Sequence, residues 1–322
     1  MRYGSGISRK SLILYIAAFL VLLIPGLTGI PGNNFLRYGF RIFLYITIGE
    51  MWNLLSGYGG MTSLGQQSFI GLAGYALALA TTKYSMPYPF GFVLGLGINL
   101  IFALAISFLL LRIDGMYFAI TTWVVAEALG TLFMSLSYVN MGAGMTVTAV
   151  PYPEIDTLYI MALILCFFVL TFIRLLMTSG TGLKIIAMRD DPGAAEAVGV
   201  DLKKTKRMIY LVAAGITSLA GSHFFLNKGT IYPESGFDIG WTISMVFIVI
   251  IGGSGTICGP VAGSVIYVLL SEILAHYPGW SNIILGAAAI IMILFCPQGI
   301  VRLSSGLHHP ICGKAGRKTP PS

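Results

Sequence analysis

The 322-residue chain is 56% hydrophobic and 10% charged, with a mean hydropathy of +0.86, whereas soluble domains carry about 25% charged residues. This composition excludes a water-soluble globular domain, and at roughly 20 residues per span the length leaves room for about ten membrane helices. The net charge of +7 does not mark a nucleic-acid binder, because the basic residues flank apolar runs and form no aromatic-interleaved stripe; membrane orientation accounts for them.

In chain order, Arg2, Arg9 and Lys10 precede an apolar run at 11–30. The run is long for a cleaved signal peptide and lacks a small-x-small cleavage site, so it reads as the first span, with 1–10 as a cytoplasmic segment. Further spans are expected at 38–56, 62–82, 90–111 and 115–136. A polar loop follows at 137–156 and a sixth span at 157–177. A charged segment at 178–207 separates these from spans at 208–227, 239–257, 260–276 and 281–296. The tail at 301–322 is basic and rich in Pro and Gly and reads as disordered. The sum is an all-α polytopic bundle over 11–300. With ten spans and an internal N-terminus, fifteen of the 19 Lys and Arg residues lie inside and only Arg37, Arg41, Lys83 and Lys228 outside. This asymmetry places both termini and the 178–207 segment in the cytoplasm.

Within that segment, residues 182–207 hold ten charged side chains and cannot lie in lipid. Asp191 has the chemistry of an N-cap, Pro192 suits a first helical position, and Gly199 supplies a left-handed residue that ends a helix. The expected structure is two short helices joined by a turn. Its small residues Gly193, Ala194, Ala195 and Ala197 admit close approach of another protein, while Arg189, Asp190, Asp191 and Glu196 add directional charge.

Two Gly-rich stretches carry further information. In 57–75, Ser63 and Gln66 have capping-box spacing, which predicts a helix start there. From that start Gln67, Gly71, Gly74 and Ala78 share one face. That face either packs closely against a neighbouring helix with Gln67 bonded across the interface, or belongs to a broken helix lining the path of a polar solute, with Gln66, Gln67 and Gly71 on it. In 252–263, Gly255, Gly259 and Gly263 repeat every four residues, the small-xxx-small spacing of close helix crossings, and Pro260 can open a new helix. No Lys-Ser/Thr ending is present, which excludes a phosphate-binding loop.

The segment Ala187-Met188-Arg189-Asp190-Asp191 followed by Ala194-Ala195-Glu196-Ala197-Val198-Gly199 resembles the coupling loop of ABC-importer permeases, in the branched-chain amino acid (LivM-type) branch. The general importer pattern has Glu before the Ala pair; here Gly193 precedes it and Glu196 follows. The stretch around Ser63-Leu64-Gly65, Phe69, Gly71 and Tyr75 is similar to the signature of the same branch, with Gln66 and Gln67 where His and a small residue stand in the pattern. Gly252-Gly253-Ser254-Gly255-Thr256, Gly259-Pro260, the run 115–122 and Pro297-Gln298-Gly299 extend the resemblance over about 36–299. It implies a permease subunit of an inner-membrane importer. It also implies two cytoplasmic ATP-binding subunits gripping 182–207, a second homologous permease and an extracytoplasmic solute-binding protein, with branched-chain amino acids as substrate. A urea or short-chain amide permease of the same superfamily is the nearest alternative.

No Walker sequence is present, so ATP hydrolysis is assigned to partners and no cofactor is expected. Cys166, Cys258, Cys296 and Cys312 show no paired spacing and read as reduced packing residues. No metal site is assigned, His308, His309 and Cys312 included. The ionisable residues within spans are Glu50, Glu127, His223 and Glu272. Glu50 and Glu272 lie near span ends, where snorkelling or a local hydrogen bond suffices. His223 reads as a satisfied interhelical histidine, and mid-span Glu127 is the pathway candidate. An ion-coupled transporter would need a dense acid/base relay, and an intramembrane enzyme a nucleophile–base pair; neither pattern is present.

Overall fold

The computed structural model describes residues 9–30, 32–110, 112–149, 151–274, 286–287 and 299–301. All but 286–287 of the expected tenth span at 281–296 lies outside them, as do the tail beyond 301, Cys296, Cys312 and both tail histidines. The order is α1 (Arg9–Thr28), α2 (Asn33–Asn53), α3 (Gln67–Ala78), α4 (Tyr88–Leu110), α5 (Met116–Ser135), α6 (Ile155–Thr178), α7 (Gly180–Asp190), α8 (Pro192–Ala197), α9 (Leu202–Lys228), α10 (Pro233–Gly236), α11 (Gly240–Gly252) and α12 (Cys258–Leu274). Among the described residues five stretches are long and apolar enough to cross a membrane: α4, α5, α6, α9 and the α10–α11 run Pro233–Gly252. The protein is a predominantly helical, multi-pass membrane protein. One short ribbon interrupts the helices, β1 (Met145–Thr146) pairing antiparallel with β2 (Thr230–Ile231) and tying the α5–α6 loop to the end of α9.

α9 is the axis of the bundle. In its most apolar window 78% of residues are buried, against 28% in α4 and α5. Small residues make this central position accessible: a Cβ on Gly221 would sit 2.9 Å from the Ile70 Cα of α3, so the two backbones touch across that site. On the other side of the bundle Tyr159 of α6 fills the space over Gly26 and Gly39 and donates its hydroxyl proton to the Leu22 carbonyl at 2.8 Å. The outward faces of α4 and α5 carry Phe90, Val93, Ile101, Met116 and Tyr117, a surface suited to lipid or to another membrane subunit.

Several expected boundaries move. The span expected at 62–82 starts late, as a twelve-residue α-helix from Gln67 that runs on into a π-helical turn at Leu79–Lys83, because 59–66 runs as irregular backbone after a π-helical turn at Leu54–Tyr58. Such backbone is tolerated at membrane depth only where protein surrounds it. Here the Leu64 N–H donates to Thr122 Oγ1 at 3.0 Å, the Trp52 indole N–H donates to the Ser63 carbonyl at 2.9 Å, and Gly65 lies against the Thr122 backbone. The capping box does not form: Ser63 Oγ accepts from the nearer Gly65 N–H, and α3 starts at Gln67 without a side-chain cap. Helix α9 begins six residues before the expected 208, because Asp201 caps it by accepting from the Lys204 N–H. The break between α11 and α12 falls at 253–257.

The Gly255–Gly259–Gly263 stripe is also corrected. Gly259 and Gly263 belong to α12 and meet the α11–loop backbone, whereas Gly255 lies in the loop at φ +71°, where its role is conformational. Cys258 was expected to be reduced and is disulfide-bonded; Cys166 is free and buried.

Candidate functional site

Three consecutive caps build the charged segment at 178–207. Ser179 Oγ accepts from the Thr181 and Gly182 N–H groups at the start of α7. Asp191 accepts from the Ala194 N–H at 3.0 Å to start α8, with Pro192 in its first turn, and Gly199 closes it at φ +87°. Asp201 then opens α9. Local chemistry therefore enforces a helix–turn–helix–turn shape at the point where the chain leaves the membrane, as the sequence predicts.

Five of the six residues of α8 are exposed and one is buried. Ala194, Glu196 and Ala197 are exposed, and Val198 is 79% exposed, while Ala195 is 2% exposed and turned into the protein. The expected docking pair of Ala194 and Ala195 is thus divided: Ala194 faces outward and Ala195 inward, and Val198, not singled out in the sequence, is exposed. Arg189 likewise turns inward. Its Nη1 donates to the Gly57 carbonyl at 2.9 Å, and its Nε and Nη2 donate to Asp190 Oδ1 at 2.9 and 2.8 Å. Lys206 at the start of α9 pairs with Asp114, securing the segment to the turn before α5.

The four pathway candidates do not form one site. Gln66 and Gln67 are fully buried, accept from the Thr217 and Thr242 hydroxyls respectively, and leave their amide Nε2 groups without an acceptor among the described residues. Gly71 lies under the Phe237 ring, which a Cβ would meet at 2.6 Å, so this residue serves helix packing. Glu127 stands on the exposed face of α5, about midway along it, where its Oε1 accepts from the Trp123 indole N–H at 3.0 Å. The groups connect at one remove, because Thr122, five residues before Glu127, holds the 63–65 backbone that leads into the glutamines.

Each of the other intramembrane ionisable groups has a partner within the chain. Glu272 forms an ion pair with Arg41 at 2.7 Å and accepts from the Tyr38 hydroxyl. Glu50 is buried rather than snorkelling and accepts from Asn53 Nδ2 at 3.4 Å. His223 Nδ1 lies 2.8 Å from the Leu219 carbonyl, with its ring edge-on to Phe92. At the opposite end of α2 from Gly57 a cavity of about 760 Å³ opens, lined by Arg37, Arg41, Tyr152, Glu154, Asp156 and Glu272 among others.

Comparison with known proteins decides what this arrangement belongs to. The model of the family described as branched-chain amino acid transport system / permease component matches residues 34–295. The chain belongs to that family. The permease is 24% identical over 336 aligned positions to the high-affinity branched-chain amino acid transport permease LivM of Escherichia coli K12, covering 94% of this chain and 77% of the relative. The LivM protein of Salmonella typhimurium matches at 25% over the same shares. The fructose import permease FruG of Bifidobacterium longum is 27% identical over 35% of this chain and 36% of its own length. No solved structure matches. Within the permease, α3 to α12 and nearly all of α2 fall in the matched region, and α1 precedes it.

Proposed function

We propose that this permease is the translocating subunit of an ATP-driven importer for branched-chain amino acids in the bacterial inner membrane. It crosses the membrane about ten times with both termini in the cytoplasm. It works with two cytoplasmic ATP-binding subunits, a second homologous permease and an extracytoplasmic solute-binding protein. The observation that carries this reading is α8: a capped, charged-flanked helix outside the apolar bundle that offers Ala194, Glu196 and Val198 to a partner. ATP hydrolysis belongs to the partners, whose movements reach the permease through 178–207.

Orientation is the first test. In a functional variant lacking its other reactive thiols, Glu196→Cys is expected to react with an impermeant maleimide only after the inner face is opened. Glu154→Cys, at the charged cavity near the other end of the bundle, is expected to react in intact cells. The reverse pattern would put α8 outside and remove the ATPase contact.

Glu127 is assigned to the route. A carboxylate at the middle of a span costs about 2.5–3.5 kcal/mol on the insertion scale, and the Trp123 indole satisfies only one oxygen. The exposed face of α5 is therefore read as facing the second permease subunit and the water-filled passage between them. The Gln66–Gln67 turn backs that face from inside through Thr122. Glu127→Gln keeps size and hydrogen bonding and removes the charge. It is expected to leave abundance within twofold of the parent and to cut uptake at least fivefold, with an altered pH dependence. Glu127→Leu loses uptake as well. Parental uptake by Glu127→Gln between pH 5 and 8 would remove the residue from the route.

A further inference from the structure

The α7–α8 pair packs against the ends of the membrane helices, and Arg189 stands half-buried where that pair meets the exit of α2. It lies at the C-terminal end of α7, one turn of chain before the exposed face of α8. Its guanidinium reaches back across 132 residues of sequence to the Gly57 carbonyl at 2.9 Å. The stem of the side chain covers Gly60, where an added Cβ would lie 2.9 Å from Arg189 Cγ. Nη1 also lies 3.5 Å from the Cβ position of Gly255. One side chain therefore bonds one irregular joint of the membrane domain, the π-helical exit of α2 at 54–60, and lies beside another, the 253–257 break between α11 and α12.

The two joints are bonded to each other beneath it. Asn53, the last residue of α2, accepts from the Gly255 N–H at 2.8 Å and donates to the Thr256 carbonyl at 3.0 Å. Gly57 is pressed against the same group, its Cβ position only 2.6 Å from the Gly255 nitrogen. Gly60, Gly253 and Gly255 all hold positive φ, at +69°, +124° and +71°, a conformation that fixes glycine there and marks places where the chain changes direction. Asp190 completes the arrangement by accepting from both Nε and Nη2 through a single oxygen, which orients the planar guanidinium so that Nη1 faces Gly57. A lysine ammonium is a point donor and cannot hold both positions as a rigid fork does.

We propose that Arg189 is a positioning residue for energy coupling: a strut that passes displacement of the α7–α8 pair to α2 and to the α11–α12 crossing through the Gly57 carbonyl. This deepens the importer reading and rests on it. It differs from a docking role, in which Arg189 would present its charge to the ATP-binding subunit, because each of the three guanidinium nitrogens already donates to Asp190 or to the Gly57 carbonyl.

The test uses the whole importer reconstituted in vesicles, with uptake and ATP hydrolysis measured together. Arg189→Ala is expected to retain the ATP-binding subunits within twofold of the parent, to lower hydrolysis less than threefold and to lower uptake per ATP at least tenfold. Arg189→Lys is expected to share that uncoupling. Asp190→Asn, which leaves the arginine in place but loosens its orientation, is expected to fall between the parent and Arg189→Ala; it supplies the decisive reading if Arg189→Ala does not accumulate. Recovery of parental uptake per ATP by lysine would show that charge alone matters and overturn the strut. Loss of the ATP-binding subunits in proportion to uptake would overturn it in favour of docking, and unchanged uptake per ATP in Asp190→Asn and Arg189→Ala would leave the strut without function. A parent complex that shows no ATP-driven uptake overturns the importer reading instead, and the strut with it.

Discussion

Replacing Gly263 with leucine is expected to reduce the abundance of the permease in the membrane at least tenfold. A Cβ at Gly263 would stand 2.0 Å from the Ile248 carbonyl oxygen, and one at Gly252 would stand 1.8 Å from the Gly259 carbonyl oxygen. These are main-chain atoms, so no rotamer change relieves the overlap, and α11 and α12 must separate to admit even one methyl group. Overpacking where side chains can still adjust costs about 1–3 kcal/mol; a backbone crossing exceeds that range, because the close approach is itself what holds such helices together. Gly97→Leu supplies the control, since nothing lies within 4 Å of its Cβ position, and its abundance is expected to stay within twofold of the parent. The readout is immunodetection with size-exclusion of detergent extracts. Parental abundance of Gly263→Leu would mean that the two helices do not cross there.

Val198→Asp is expected to weaken retention of the ATP-binding subunits by roughly 30-fold, about 2 kcal/mol, the loss associated with a central contact of an interface, and to lower uptake in step. Val198 is 79% exposed at the end of α8, on a surface outside the apolar bundle. A carboxylate there stays solvated in the isolated chain, so abundance is expected to hold, and it becomes costly only when a partner removes the water. Ala195→Glu behaves differently. Ala195 is 2% exposed and buried where α8 packs on α7 and α9, so a glutamate there disturbs this chain's own packing and lowers abundance. Measuring copurification and abundance for both variants separates the outer face from the inner one. Normal ATPase retention by Val198→Asp would discard α8 as the docking surface.

What was legible in the sequence follows the range of the forces involved. The caps at Asp191 and Gly199 depend on groups three or four residues away, so residue type alone predicts the short helices of the charged segment at 178–207. The long spans at α4, α5 and α6 follow from uninterrupted apolar runs whose ends lie within two residues of those expected. Residues 62–66 were read as the start of a helix because Ser63 and Gln66 have capping-box spacing. The bonds that hold them irregular come from Trp52 and from Thr122, on separate helices. Ala194 and Ala195 are alike in sequence, and only the packing of a six-residue helix decides which faces out. Arg189 looked like an exposed charge because its partner, the Gly57 carbonyl, is a backbone group that no motif records. The Gly repeat at 255, 259 and 263 kept its helical spacing through a loop, where spacing no longer measures a face.

The most direct test of the account is uptake in proteoliposomes holding the permease with its copurified subunits and the binding protein. Radiolabelled leucine is expected to enter only when ATP is available at the α8 side. It is expected to continue when proton and sodium gradients are collapsed, and to stop when ATP is replaced by a non-hydrolysable analogue. Leucine accumulation by this chain without ATP-binding subunits, driven by an ion gradient, would contradict it.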